Sequence, residues 1–145
     1  MRVAVDSSVL VGYFIDSDKA HPLGVKLVDS ILDGGIEYAC VSKITIAETG
    51  YVLERKTGDE TFAYNCMHAI THDLGFDVLE FTWEFMVNLS HLKAVNPISF
   101  CDNATLVAAK LTNSRALFSK EKEIVEKQRS KLQGAGITFI DEFPF

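Results

Sequence analysis

The apolar run Val3, Ala4, Val5 stops abruptly at Asp6 and resumes at Val9. Residues 2–5 read as a short buried strand. In 22–33, Leu23, Leu27, Val28, Ile31 and Leu32 recur at helical spacing. Pro22 suits the first turn of that helix, and Gly34 and Gly35 stop it. The segment IEYACVS, 36–42, alternates like a strand, and Ser42 then caps a helix carrying Ile44, Ala47, Glu48, Tyr51 and Val52. Gly58 and Asp59 open another helix, with Phe62, Cys66, Ala69 and Ile70 on one side and Gly75 at its end. FDVLEF, 76–81, predicts a third strand, and Thr82 starts a helix holding Phe85, Leu89 and Leu92. Trp83, Phe85 and Met86 are expected in the core.

After the loop at 95–98, Ser99 and Asp102 form the Ser-x-x-Asp variant of a capping box, and the helix they open runs to about Leu111. RALF (115–118) predicts a strand, 121–132 a charged helix and ITFIDE (137–142) a last strand. Strands alternating with helices imply an α/β sandwich around a parallel sheet. The 145 residues suit one domain, spanning 1–145.

Composition narrows this picture. A hydrophobic content of 48% excludes a disordered chain, and no apolar run approaches the ~20 residues of a membrane span. Asp6 interrupts any signal-peptide pattern, so a cytoplasmic protein without membrane contact is expected. Cys40, Cys66 and Cys101 are scattered, as buried thiols are, and match neither a zinc motif nor a disulfide framework. The net charge of −6 argues against a general nucleic-acid coat protein. Even so, Lys110, Arg115, Lys120, Lys122, Lys127, Arg129 and Lys131 hold half of the 14 basic residues in one stretch. They read either as a solvated helix face or as a rim guiding phosphates, with Lys120 and Lys122 the candidates for phosphate contact.

The acids carry the chemistry. Ligands of parallel α/β sheets bind beyond the carboxyl ends of the strands. Asp6 follows the first strand, Glu48 lies on the helix after the second, Asp102 sits in a first helical turn, and Glu121 and Glu123 follow RALF. Each has an ordinary reading as a cap, a surface acid or a dipole partner. Together at one sheet edge they would repel, and a divalent cation resolves the repulsion. Oxygen ligands without His or Cys suit Mg²⁺ or Mn²⁺, which activate water and neutralise a phosphate. His68 and His72 share a helical face but lack a third ligand, and read as a surface pair.

On four segments the chain resembles the PIN-domain family, especially its small VapC-like ribonuclease toxins. VAVDSSVLV (3–11), VSKITIAETGYVL (41–53), ISFCDNATLVAAK (98–110) and ALFSKEKEI (116–124) are similar to that family's four motifs, in order and at suitable spacing. The resemblance implies a parallel-sheet sandwich and a metal-dependent endoribonuclease. It implies a catalytic set of Asp6, Glu48, Asp102 and Glu121, with Asp6, Asp102 and Glu48 toward the metal. It also implies Ser7 and Ser119 as hydroxyls orienting ligands or water. The fourth motif departs from the pattern: Ser119-Lys120-Glu121 stands where Ser/Thr-x-Asp is usual, and Glu123 rivals Glu121. A small antitoxin protein and a homodimer are the partners implied, with the helices at 59–74 and 82–94 as candidate faces. Two other classes compete: a PIN-like module that binds RNA or protein without cutting, and a phosphatase-like hydrolase with Asp6 as nucleophile. The latter usually has a second Asp where Ser8 stands.

Overall fold

The computed structural model describes residues 1–120, 130–134 and 136–145. Five strands form one parallel sheet: β1 (Arg2–Val5), β2 (Tyr38–Ser42), β3 (Asp77–Leu79), β4 (Arg115–Phe118) and β5 (Ile137–Phe139). Their order is β3-β2-β1-β4-β5, so β1 is central. Val3 lies opposite Ala39 of β2 and Arg115 of β4. Among the described residues six helices cover the sheet: α1 (Ser7–Phe14), α2 (His21–Leu32), α3 (Lys43–Thr57), α4 (Glu60–His72), α5 (Trp83–Val95) and α6 (Phe100–Thr112). Among the described residues no helix is long and apolar enough to cross a membrane.

The two-residue period of the strands sorts the core into two layers. Val3, Val5, Val41 and Leu117 join Val9, Leu10, Leu27, Val28, Ile46 and Ile70 on the side of α1 to α4. Ala4, Cys40, Ala116 and Phe118 join Phe85, Leu89, Leu92 and the alanines of α6 on the other. The result is the expected three-layer α/β sandwich. Small side chains on both sides of the second interface, Ala4 and Ala116 against Ala104, Ala108 and Ala109, let α6 approach the sheet closely. Every residue from Asp102 to Ala109 is buried, as in a helix enclosed on all sides.

Several elements differ from the pattern-based expectation. α1 is absent from it, because a short helix with Val9, Leu10, Val11 and Gly12 all buried shows no polar stripe. Gly12 permits a close turn there, since a Cβ would stand 2.9 Å from that of Ala20. β3 stops at Leu79, and 140–142 form a 3₁₀ turn, so both predicted strands are shorter. In α3 the buried face is Thr45, Ile46, Thr49, Gly50 and Leu53, while Ala47 and Tyr51 are exposed. Those threonines are compatible with burial because Thr49 donates to the Thr45 carbonyl and Thr45 pairs with Ser42. Trp83 and Met86 are likewise not core. Phe85, Leu89 and Leu92 fill the buried stripe of α5 at i, i+4, i+7, leaving Trp83 77% exposed beside Met86 and Val87. The charged helix expected over 121–132 falls, at 121–129, outside the described residues; Ser130 and Lys131 form a turn.

The topology creates one distinctive place. The chain builds the sheet outward from β1 through β2 to β3, then returns to place β4 on the other side of β1. Such a reversal opens a crevice beyond the carboxyl ends of the two strands flanking it. Asp6 follows β1 and Ser119 follows β4, so both stand at that crevice.

Candidate active site

Asp6 leaves the sheet at the end of the central strand, its N–H donating to the Leu117 carbonyl at 3.0 Å. Its side chain is buried and serves as the N-cap of α1. Oδ2 accepts the Ser8 N–H at 2.8 Å and the Ser8 hydroxyl at 2.6 Å. Oδ1 accepts the Thr105 hydroxyl at 3.1 Å. The Ser8 oxygen in turn accepts the Ser119 N–H at 3.1 Å, which ties the end of β4 to the end of β1.

Thr105 lies three residues beyond Asp102, on the same face of α6. Its bond to Asp6 therefore brings the face of α6 that carries Asp102 to the end of β1. Asp102 is buried; its N–H donates to Ser99 Oγ at 3.0 Å and its Oδ2 accepts the Ser99 hydroxyl at 2.7 Å, the expected cap. Glu48, half-buried on α3, accepts the Ser7 hydroxyl at 2.5 Å. The Thr45 and Thr105 hydroxyls, 3.5 Å apart, link α3 to α6. Asp6 is thus tied to α6 through Thr105 and on to α3 through Thr45, while Glu48 is held by Ser7, the residue after Asp6, and Asp102 by Ser99. Beside this web of hydroxyl contacts opens a cleft of about 240 Å³, lined by Ser7, Ser8, Val11, Asp18, Val52, Lys56 and Ser119.

The donors offered here are carboxylate and hydroxyl oxygens, with neither imidazole nor thiol, which is the chemistry of a site for a hard divalent cation. Among the described residues, no three His, Cys, Asp or Glu side chains are grouped, as they stand, to hold an ion. Glu121, Glu123 and Lys122 lie outside the described residues. Lys120 is exposed and pairs with Asp141 at 2.6 Å and Glu142 at 3.7 Å. His68 and His72 lie side by side on the exposed surface of α4, with ring centroids 4.4 Å apart and planes tilted by 48°. Cys40 and Cys66 are buried thiols; burial raises the pKa of Cys40 and pushes Cys66 up to about 11, so neither is a thiolate at neutral pH.

Two contributors escaped the sequence reading. Ser8 holds Asp6, while Ser7 reaches Glu48. The signal for Ser8 was available: two residues after an N-cap Asp, a hydroxyl can return to the cap. Thr105 was legible as the i+3 neighbour of Asp102 on a helix, but only the tertiary fold brings it to Asp6, 99 residues away.

A family model described as PIN domain matches residues 3–129. Curated protein sequences show no match. Among solved structures, the chain resembles VapC20 of Mycobacterium tuberculosis, a sarcin–ricin loop cleaving toxin, with a TM-score of 0.66 and 18% identity over 80% of this chain and 87% of that one. VapBC2 of Rickettsia felis, solved bound to a DNA fragment from its promoter, gives 0.67 at 12% identity, covering 96% of this chain and 98% of that one. DNA-bound VapBC of Salmonella typhimurium gives 0.65 at 12% identity, covering 97% and 98%. At such identities the likeness is one of fold.

Proposed function

The chain belongs to the PIN-domain family, and we propose that it is a Mg²⁺- or Mn²⁺-dependent endoribonuclease, the toxin of a toxin–antitoxin pair, acting in the cytoplasm. The observation that carries this reading is the carboxylate of Asp6. It is buried at the crevice of a parallel sheet with both oxygens held by hydroxyl donors; Thr105, one of those donors, lies one turn beyond Asp102, and Glu48 accepts the hydroxyl of Ser7, the residue after Asp6. A structural cap needs only the bond to Ser8; the rest of the web fixes the carboxylate in one orientation, as outer partners of metal ligands do.

In this reading Asp6 and Asp102, with Glu48, would hold the divalent ion, and Glu121 is the fourth acid. The ion supplies charge neutralisation at the phosphate and a lowered pKa for water when bound. Ser8 and Thr105 orient Asp6, Ser7 orients Glu48 and Ser99 orients Asp102. Ser119 acts through its N–H, which fixes the Ser8 hydroxyl against Asp6. Attack by water on phosphorus forms the new P–O bond as the bond to O3′ breaks, and the proton ends on O3′. The ribose 2′-hydroxyl takes no part, so the products carry 5′-phosphate and 3′-hydroxyl ends. Exposed Trp83, Met86 and Val87 on α5 support a protein contact, in keeping with a homodimer and a small antitoxin partner.

The test is cleavage of single-stranded or looped RNA by the purified chain in Mg²⁺ or Mn²⁺, stopped by EDTA and lost in Asp102→Asn. Cyclic-phosphate ends, or full activity in EDTA, contradict the reading. RNA binding without cleavage across a broad set of RNAs favours a non-catalytic module.

A further inference from the structure

The cleft beside the acidic web has one wall that the proposed chemistry leaves unassigned. Lys56, in the last turn of α3, lines it together with Ser7, Ser8 and Ser119. It also lines an adjoining hollow with Ser17, Asp18 and Lys19, from the connection between α1 and α2. Lys19 in turn borders a third hollow that shares Ser119 with the first cleft and reaches Lys120. These hollows adjoin one another through shared lining residues, and lysines from three separate segments stand along this grooved surface near the ends of β1 and β4.

The surroundings of the chain's lysines differ. Lys43 pairs with Glu80, Lys93 donates to the Ile98 carbonyl, Lys110 donates to Asn88, and Lys120 pairs with Asp141 and Glu142. Lys56 is exposed and forms no ion pair or hydrogen bond with another described residue. Asp18, its acidic neighbour in the groove, is occupied in the turn, where Oδ1 accepts the Ala20 N–H at 2.9 Å. A lysine near a helix C-terminus is favoured by the dipole alone, and Arg55 meets that description equally. Arg55, however, donates to Tyr51 and lines a different hollow, whereas Lys56 faces the groove.

A chain of net charge −6 must bind a polyanion through local cations, and most acutely beside a group of carboxylates. Resting on the ribonuclease reading, we propose that Lys56 is a substrate-positioning residue that takes a backbone phosphate of the RNA flanking the scissile linkage, with Lys19 on the adjoining wall. The contact is to phosphate, so it sets affinity and register and carries no base preference.

The experiment compares wild type, Lys56→Gln, Lys56→Arg and, as a control on α2, Lys26→Gln. Steady-state cleavage of a short single-stranded RNA is measured in Mn²⁺, and binding of a non-cleavable phosphorothioate RNA across a salt series. Lys56→Gln should raise KM about five- to tenfold with kcat within about twofold, and should reduce the slope of log K against log salt by about 0.7, the value for one phosphate on a single strand. Lys56→Arg should restore both, and Lys26→Gln should change neither. An unaltered KM and salt slope in folded Lys56→Gln overturns the assignment. A wild type that cleaves nothing defeats the ribonuclease reading by itself. The salt slope still decides the role of Lys56 in that case: a loss supports it, and an unaltered slope overturns it.

Discussion

Asp6 caps α1 through one oxygen and accepts the Thr105 hydroxyl through the other, so substitutions there separate fold from chemistry. Asn keeps a carbonyl acceptor for the cap, and it removes a negative charge from an edge where carboxylates gather. Asp6→Asn should therefore change Tm by no more than a few degrees. Asp6→Ala loses the cap and should cost about 1–2 kcal/mol. Both should lower Mn²⁺ affinity at least tenfold by calorimetry; unchanged affinity in folded Asp6→Asn contradicts the assignment of Asp6 as a ligand. Thr105 gives an independent check, because its side chain touches the carboxylate without being a proposed ligand. Thr105→Val removes the hydroxyl at nearly constant shape, costs about 1 kcal/mol, and should lower kcat for RNA cleavage about tenfold or more. Thr105→Ser should recover most of it. An undiminished kcat in Thr105→Val means that the orientation of Asp6 is not set from α6.

At the scale of elements, the candidate site depends on how closely α1, α3 and α6 approach the sheet. α3 carries Glu48 and rests on α4 where Gly50 meets Met67; a Cβ on Gly50 would overlap the Met67 sulfur. Gly50→Ala gains about 1 kcal/mol of helix propensity, yet forces Met67 out of its position at about 1–3 kcal/mol. A net loss of stability is expected, measured by urea denaturation, and it should vanish when Met67→Ala is made alongside. A Tm raised by Gly50→Ala alone contradicts this packing account. The same elements explain what the sequence pattern could and could not convey. Helices with one apolar stripe and a hydroxyl or acidic cap, α4 and α5, were legible because the burial period and the cap agree. α1 was not, because it is short and buried over most of its surface. The face of α3 was misread because buried threonines count as polar until their hydroxyls are seen to return to the backbone and to each other. Trp83 and Met86 were misplaced because size suggests core, whereas the stripe of Phe85, Leu89 and Leu92 had already filled it.

Over the whole molecule, the parallel sheet and its reversal between β1 and β4 define where a ligand site belongs, and Asp6, Glu48 and Asp102 were readable from the sequence as candidate acids. The hydroxyls that orient them were not, since the Thr105 bond to Asp6 joins residues 99 positions apart and exists only after the sheet and α6 have packed. What the fold adds is therefore rigidity: Asp6 held by Ser8 and Thr105, Glu48 by Ser7 and Asp102 by Ser99, next to a cleft whose wall includes Lys56. The central claim is that this site hydrolyses RNA. The most direct measurement is end-group analysis of a defined single-stranded RNA incubated with the purified chain in Mn²⁺, beside Asp6→Asn, Asp102→Asn and an EDTA control. The account predicts fragments with 5′-phosphate and 3′-hydroxyl ends from wild type, and intact RNA in the three controls. Cyclic-phosphate ends, or cleavage that survives EDTA or either substitution, would contradict it.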